Sequence, residues 1–155
     1  MSSSHTPSSV LASLPLLAVL SACGGGGGGE ERPLYGPCFV GAAEPSLIIS
    51  SVQNSVSAAS VPIVSLSNIT LDGMAFNLSF LPREAVNVQV VGSSLECTVP
   101  CGFAVQEGAF SFTASAPGYA VRSVAANGAY SSSTGTGCPL YLTGGTRITV
   151  SLSPL

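Results

Sequence analysis

Glu107-Gly108-Ala109-Phe110-Ser111-Phe112-Thr113-Ala114-Ser115 decides the fold. Phe110, Phe112 and Ala114 point one way along an extended chain and Ser111 and Thr113 the other, because strand side chains alternate with period two. Gly108 permits a tight start to this strand. Downstream, Pro117-Gly118-Tyr119 sets a turn into Val121 to Ala125. The last run alternates most cleanly, with Ile148, Val150 and Leu152 against Arg147, Thr149 and Ser151.

The same period extends upstream. Leu47-Ile48-Ile49 opens a first strand, and Ile63 to Leu71 forms the next. There the inward phase slips from Val64 and Leu66 to Ile69 and Leu71, which predicts a bulge near Ser67-Asn68. Asp72-Gly73 is a two-residue turn signal. It predicts a returning strand on which Phe76, Leu78 and Phe80 alternate with Asn77 and Ser79. Leu81-Pro82-Arg83-Glu84 breaks that strand before Val86, Val88 and Val90 resume the alternation. No stretch sustains an apolar stripe at helical spacing. The expectation is an all-β chain, a single antiparallel β-sandwich of about seven strands.

Three pieces carry a resemblance: Glu107 to Phe112, Ala116-Pro117-Gly118-Tyr119, and the closing alternating strand. Together they resemble the carboxypeptidase regulatory-like, or transthyretin-like, sandwich of secreted bacterial proteins, with some similarity to PEGA-type surface modules. The likeness spans residues 46–155. Such modules carry an Asp and a Gly after the first strand, where this chain has Val52-Gln53-Asn54-Ser55.

Near the start, Val10 to Leu20 is an apolar segment interrupted by Ser13 and Pro15, too short for the roughly 20 residues of a spanning helix. It closes on Leu20-Ser21-Ala22-Cys23. A branched apolar residue, two small residues and a cysteine resemble the processing site of bacterial lipoproteins. Ordinary secretory cleavage after Ala22 would put bulky Leu20 at a position that prefers a small residue. The resemblance implies diacylglycerol on the Cys23 thiol, cleavage after Ala22 and acylation of the new amino group. Met1 to Ser9 holds no Lys or Arg, a departure from the usual leader. Each buried methylene contributes about 0.8 kcal/mol, so two or three acyl chains anchor a protein durably where one is marginal. By the same resemblance, Gly24 after the lipid site, in place of the Asp that favours inner-membrane retention in enteric-type bacteria, implies the outer membrane.

The expected organisation is a lipoprotein signal peptide over 1–22, a lipidated Cys23 with a disordered Gly-rich tether over 23–33, and the β domain over 34–155. Gly24 to Gly29 has no side chains to pack and much backbone freedom to lose. No Lys-Ser or Lys-Thr follows to make it a phosphate loop.

Composition narrows the function. Charged residues make up 7% of the chain, with four Arg, no Lys and a formal charge of −3, which provides no basic patch for nucleic acid. His5 is the single histidine and leaves with the leader, taking Ser-His-Asp, Cys-His and His-metal chemistry with it. Asp72 is the single aspartate. Glu44, Glu84, Glu96 and Glu107 are the candidates for a glycosidase-type pair, without a tryptophan to stack a sugar. Glu44, Arg83 and Glu84 read as loop decoration. No catalytic residue, cofactor or metal is expected.

Lipidation of Cys23 leaves an even set, Cys38, Cys97, Cys101 and Cys138, suited to disulfides in an oxidising compartment. Four cysteines allow three pairings. The module resemblance implies Cys101 with Cys138 and Cys38 with Cys97. Cys97-Thr98-Val99-Pro100-Cys101 has a wider gap than thioredoxin-like motifs, and a four-cysteine zinc site is the other alternative.

The functional expectation is a lipid-anchored cell-envelope lipoprotein whose domain is a non-catalytic binding or structural module. Its partners would be the membrane, through Cys23, and an envelope protein or glycan met at a sheet edge or at the long loop from Ala126 to Thr146. The alternative is a carboxylate-based hydrolase or a thiol-disulfide exchange protein.

Overall fold

A computed structural model describes residues 39–134 and 138–155, all within one compact unit, Tyr35–Leu155. The expected leader, Cys23, the tether and Cys38 lie outside the described residues. Among the described residues the fold is all-β: β1 (Val40–Ala42), β2 (Leu47–Asn54), β3 (Ile63–Leu71), β4 (Met74–Ala75), β5 (Val86–Val91), β6 (Ser94–Gly102), β7 (Gly108–Ser115), β8 (Arg122–Gly128), β9 (Tyr130–Thr134) and β10 (Leu140–Leu152).

These strands form one mixed sheet in the order β1-β10-β2-β6-β3-β7-β8, with β4 on β3, β5 on β6 and β9 on β10. The expected count of about seven, all antiparallel, is therefore corrected. β10 runs parallel to both β1 and β2. Most of the chain separates β2 from β10, so no tight turn opposes their directions, and parallel pairing needs a long connection of this kind. The thirteen residues of β10 are long enough to hold β1 and then β2 along one edge. β9 pairs antiparallel with its first half.

Beyond β9, the chain ahead of β8 reaches back to the far end of β10. Ala120 N donates to Ser153 O at 2.8 Å, and Arg122 Nη1 donates to Ser151 O at 2.6 Å. The sheet thus wraps around one core. Leu47, Ile49 and Val52 meet Val64, Leu66, Leu95, Val150 and Leu152 there, with Phe110, Phe112 and Ala114 inward on β7 as the alternation predicts. Phe103, fully buried, makes edge-on contacts with Phe76, Phe110 and Phe112 at centroid distances of 5.5, 5.8 and 6.3 Å. Such pairs add about 0.5–1.5 kcal/mol each beyond area burial.

Local expectations fare unevenly. The β3–β7 register shifts between Ser67 and Thr70, with Asn68 at φ 51°, where the phase slip predicts a bulge. Asp72 and Gly73 have φ 50° and 79°, both positive as a tight hairpin turn requires. The returning strand is a correction: only Met74 and Ala75 pair with β3. Phe76 then turns into the core while Phe80 stays 82% exposed, so alternation there does not mark a strand. The loop expected from Ala126 to Thr146 is largely strand, because β9 and the start of β10 form a hydroxyl-rich antiparallel pair with no apolar face to announce it.

Candidate functional site

The cysteine motif occupies the bend of β6. Leu95 to Thr98 pair antiparallel with β3, and Cys101 and Gly102 pair antiparallel with β2. β5 lies along the other side, where its register jumps from Val86 opposite Gly102 to Val88 opposite Cys97. Thr98 to Pro100 thus bulge out of the β5–β6 ladder, and the Cys97–Cys101 disulfide closes the base of the bulge with a Cα separation of 5.8 Å. Asn87, at φ 54°, turns its amide onto the bulge and donates from Nδ2 to Pro100 O at 2.7 Å.

This bond corrects the pairing that the module resemblance implies. Cys97 is joined to Cys101, so neither is bonded to Cys38 or Cys138. Four residues of separation reach because the bulge folds the strand back on itself. Cys138 is itself disulfide-bonded. Cys97 and Cys101 are 0% and 1% exposed, whereas thiol-disulfide exchange proceeds by thiolate attack on an accessible sulfur. A bonded, buried pair also supplies no thiolate to zinc. Among the described residues no group of three or more His, Cys, Asp or Glu could hold a metal ion.

A cavity of about 180 Å³ adjoins the bend, walled by Pro45, Ile48, Val86, Pro100 and Cys101 with Glu44 and Arg147 at its polar side. Glu44 precedes β2, and its Oε1 accepts the Gly144 and Gly145 amides of β10. Its Oε2 lies 3.6 Å from Arg147 Nη2. Glu44 therefore fixes two strands rather than decorating a loop, a role that depends on residues a hundred positions away.

Tyr130 sits above Glu44. Its single hydroxyl proton is shared between Glu44 O at 2.9 Å and Val105 O at 3.1 Å, and its backbone N–H donates to Glu107 Oε1 at 2.8 Å. Burial, then the negative charges of Glu107, Glu84 and Glu44, push its phenol up to about 12. Fully buried Ser46 shares its hydroxyl proton between Ala104 O and Gln106 O. Sequence reading missed Tyr130 and Ser46 because a lone hydroxyl carries no spacing pattern.

The remaining carboxylates are dispersed. Asp72 Oδ1 accepts Ala109 N at 2.8 Å, Glu84 meets the exposed neighbour Arg83, and Glu96 is exposed on β6. The arrangement joins strands; each polar group described around Glu44 ends on backbone or on an ion partner. Compared with known protein families, curated proteins and solved structures, the chain shows no significant match to any of them.

Proposed function

We propose that this chain is a lipid-anchored lipoprotein of the bacterial cell envelope, held by acyl chains on Cys23 at the outer membrane. Its β domain serves as a non-catalytic binding or structural module. The observation that carries this reading is Leu20-Ser21-Ala22-Cys23 at the end of a short apolar segment.

Cysteine accounting supports it. Cys97–Cys101 is closed, and Cys138 is disulfide-bonded. In this reading Cys38 is the partner of Cys138, and Cys23 alone keeps a thiol for lipid. The same reading takes the wrapped sheet as a sandwich of the carboxypeptidase regulatory-like kind, with β6 bending from one layer to the other. Strands that change layers through bends are how such corners are built.

The module role draws support from the use of the polar groups. Glu44, Tyr130, Glu107 and Asp72 hold strand ends together, and the disulfide is buried. Cys23→Ser tests the anchor: the variant should move from the membrane to the soluble fraction of a bacterial host while the unaltered protein stays with the membrane. Equal membrane retention of both forms would overturn the anchor. Crosslinking in native envelopes tests the module, which should enrich a protein or glycan over a control that carries the lipidation site alone.

A further inference from the structure

The sheet has two ends, and the chain enters at one of them. Backbone pairing traces that end from strand to strand: Asp72 N donates to Ala109 O, Gly108 lies opposite Gly128, and Thr146 N donates to Ala129 O and to Ser46 O. β1 leads directly into Ser46. At the same end, Met74 is 72% and Phe80 82% exposed, around a groove of about 280 Å³ completed by Leu71, Phe76 and Gln106. Gln106 ties the groove to the incoming chain, since its carbonyl accepts the Ser46 hydroxyl. Phe76 packs on Phe103 and Phe110, so the segment that presents Met74 and Phe80 is held to the core. Phe39, the first described residue, is exposed where β1 meets the start of β10, with Leu140 N donating to its carbonyl.

Single exposed apolar residues on a surface need no explanation, whereas Met74 and Phe80 stand together around one groove. We propose that this end of the domain rests on the bilayer, with Phe80 and Met74 seated between the headgroups and the upper acyl chains. The proposal rests on the anchor at Cys23. Fifteen residues, 24–38, separate Cys23 from Phe39. Even fully extended, the chain from Cys23 to Phe39 spans at most about 55 Å, so an anchored Cys23 keeps the groove within reach of the membrane at high effective concentration and a weak apolar contact suffices. Charge makes no contribution, because the chain has no Lys and a formal charge of −3. Seating is therefore apolar and does not require anionic lipid.

The chain contains no tryptophan, so one substitution installs a reporter. Phe80→Trp and Met74→Trp place it in the groove. Val56→Trp places it at the opposite end, where Val56 is 81% exposed and the neighbouring Ser55 N donates to Leu152 O. Each full-length variant is purified from membranes and incorporated into phosphatidylcholine vesicles with plain or brominated acyl chains. Brominated lipid should cut emission about two-fold for Phe80→Trp and Met74→Trp, as for side chains seated roughly 5–10 Å into the interface, and leave Val56→Trp unchanged. Vesicle flotation with unquenched Phe80→Trp and Met74→Trp, or equal quenching of all three, overturns the docking and leaves the anchor standing. Failure of the protein to float overturns the anchor and the docking together. A blue shift of the groove variants in detergent that grows with protein concentration would assign the groove to a second copy and overturn the bilayer as its occupant.

Discussion

Gly108 shows how one backbone angle starts a strand. Its φ of 147° is one that side chains rarely adopt, and an added Cβ would meet Leu71 Cδ1 at 2.7 Å and the Asp72 carboxylate at 2.8 and 2.9 Å. Gly108→Ala should cost about 1–3 kcal/mol in denaturant unfolding, by backbone strain and overpacking together. Tyr130 makes a pH-dependent contribution. Its phenol is held up at about 12, above the ordinary value of 10.0, so the unfolded chain loses this proton first. Stability from Tyr130 is fully present below pH 10 and is lost as pH rises through about 12. Tyr130→Phe should cost about 1 kcal/mol at neutral pH through the lost hydroxyl, whose proton is shared by two carbonyls, and should flatten the alkaline loss. Unfolding midpoints of both proteins across that pH range check the sign. The role of Gly108 was legible because strand alternation begins beside it. Glu44 was not, because its partners Gly144 and Gly145 become neighbours only when β10 lies beside β2.

Among the elements, β7 and the second half of β10 were legible, since each buries one face and exposes the other. β6 was hidden. Its two halves serve different neighbours, and the cysteines and Pro100 at its bend read as a motif rather than as a strand. β9 and the start of β10 were hidden for the opposite reason: Ser131 to Thr134 are all exposed. Hydroxyl pairs such as Ser132 with Thr143 hold them, and those leave no hydrophobic period. The β6 bend carries its own prediction. Replacing both Cys97 and Cys101 by Ala should lower stability by about 2 kcal/mol, the loop-closure entropy of so short a ring. The unaltered protein unfolded under reducing conditions should show a deficit at least as large, because the bond of Cys138 opens as well. A deficit near zero in the double variant would mean that Asn87 and the flanking ladders hold the bulge without the bond.

At the scale of the whole molecule, composition and alternation foretold an all-β chain, while the direction of β10 escaped them. Parallel pairing of the last strand with β1 and β2 follows from the wrapping of the sheet, and no local signal encodes it. That topology brings Ser46 in at the end where Met74 and Phe80 are exposed, and Cys23 stands sixteen positions before Phe39 in the sequence. The proposed address depends on the chemistry of a single thiol, that of Cys23. The mass of the N-terminal peptide from protein isolated out of native membranes tests that chemistry most directly. The account predicts a peptide that begins at Cys23 and carries acyl chains on its sulfur; a peptide that still begins at Met1, or one that begins at Cys23 with a bare thiol, would contradict it.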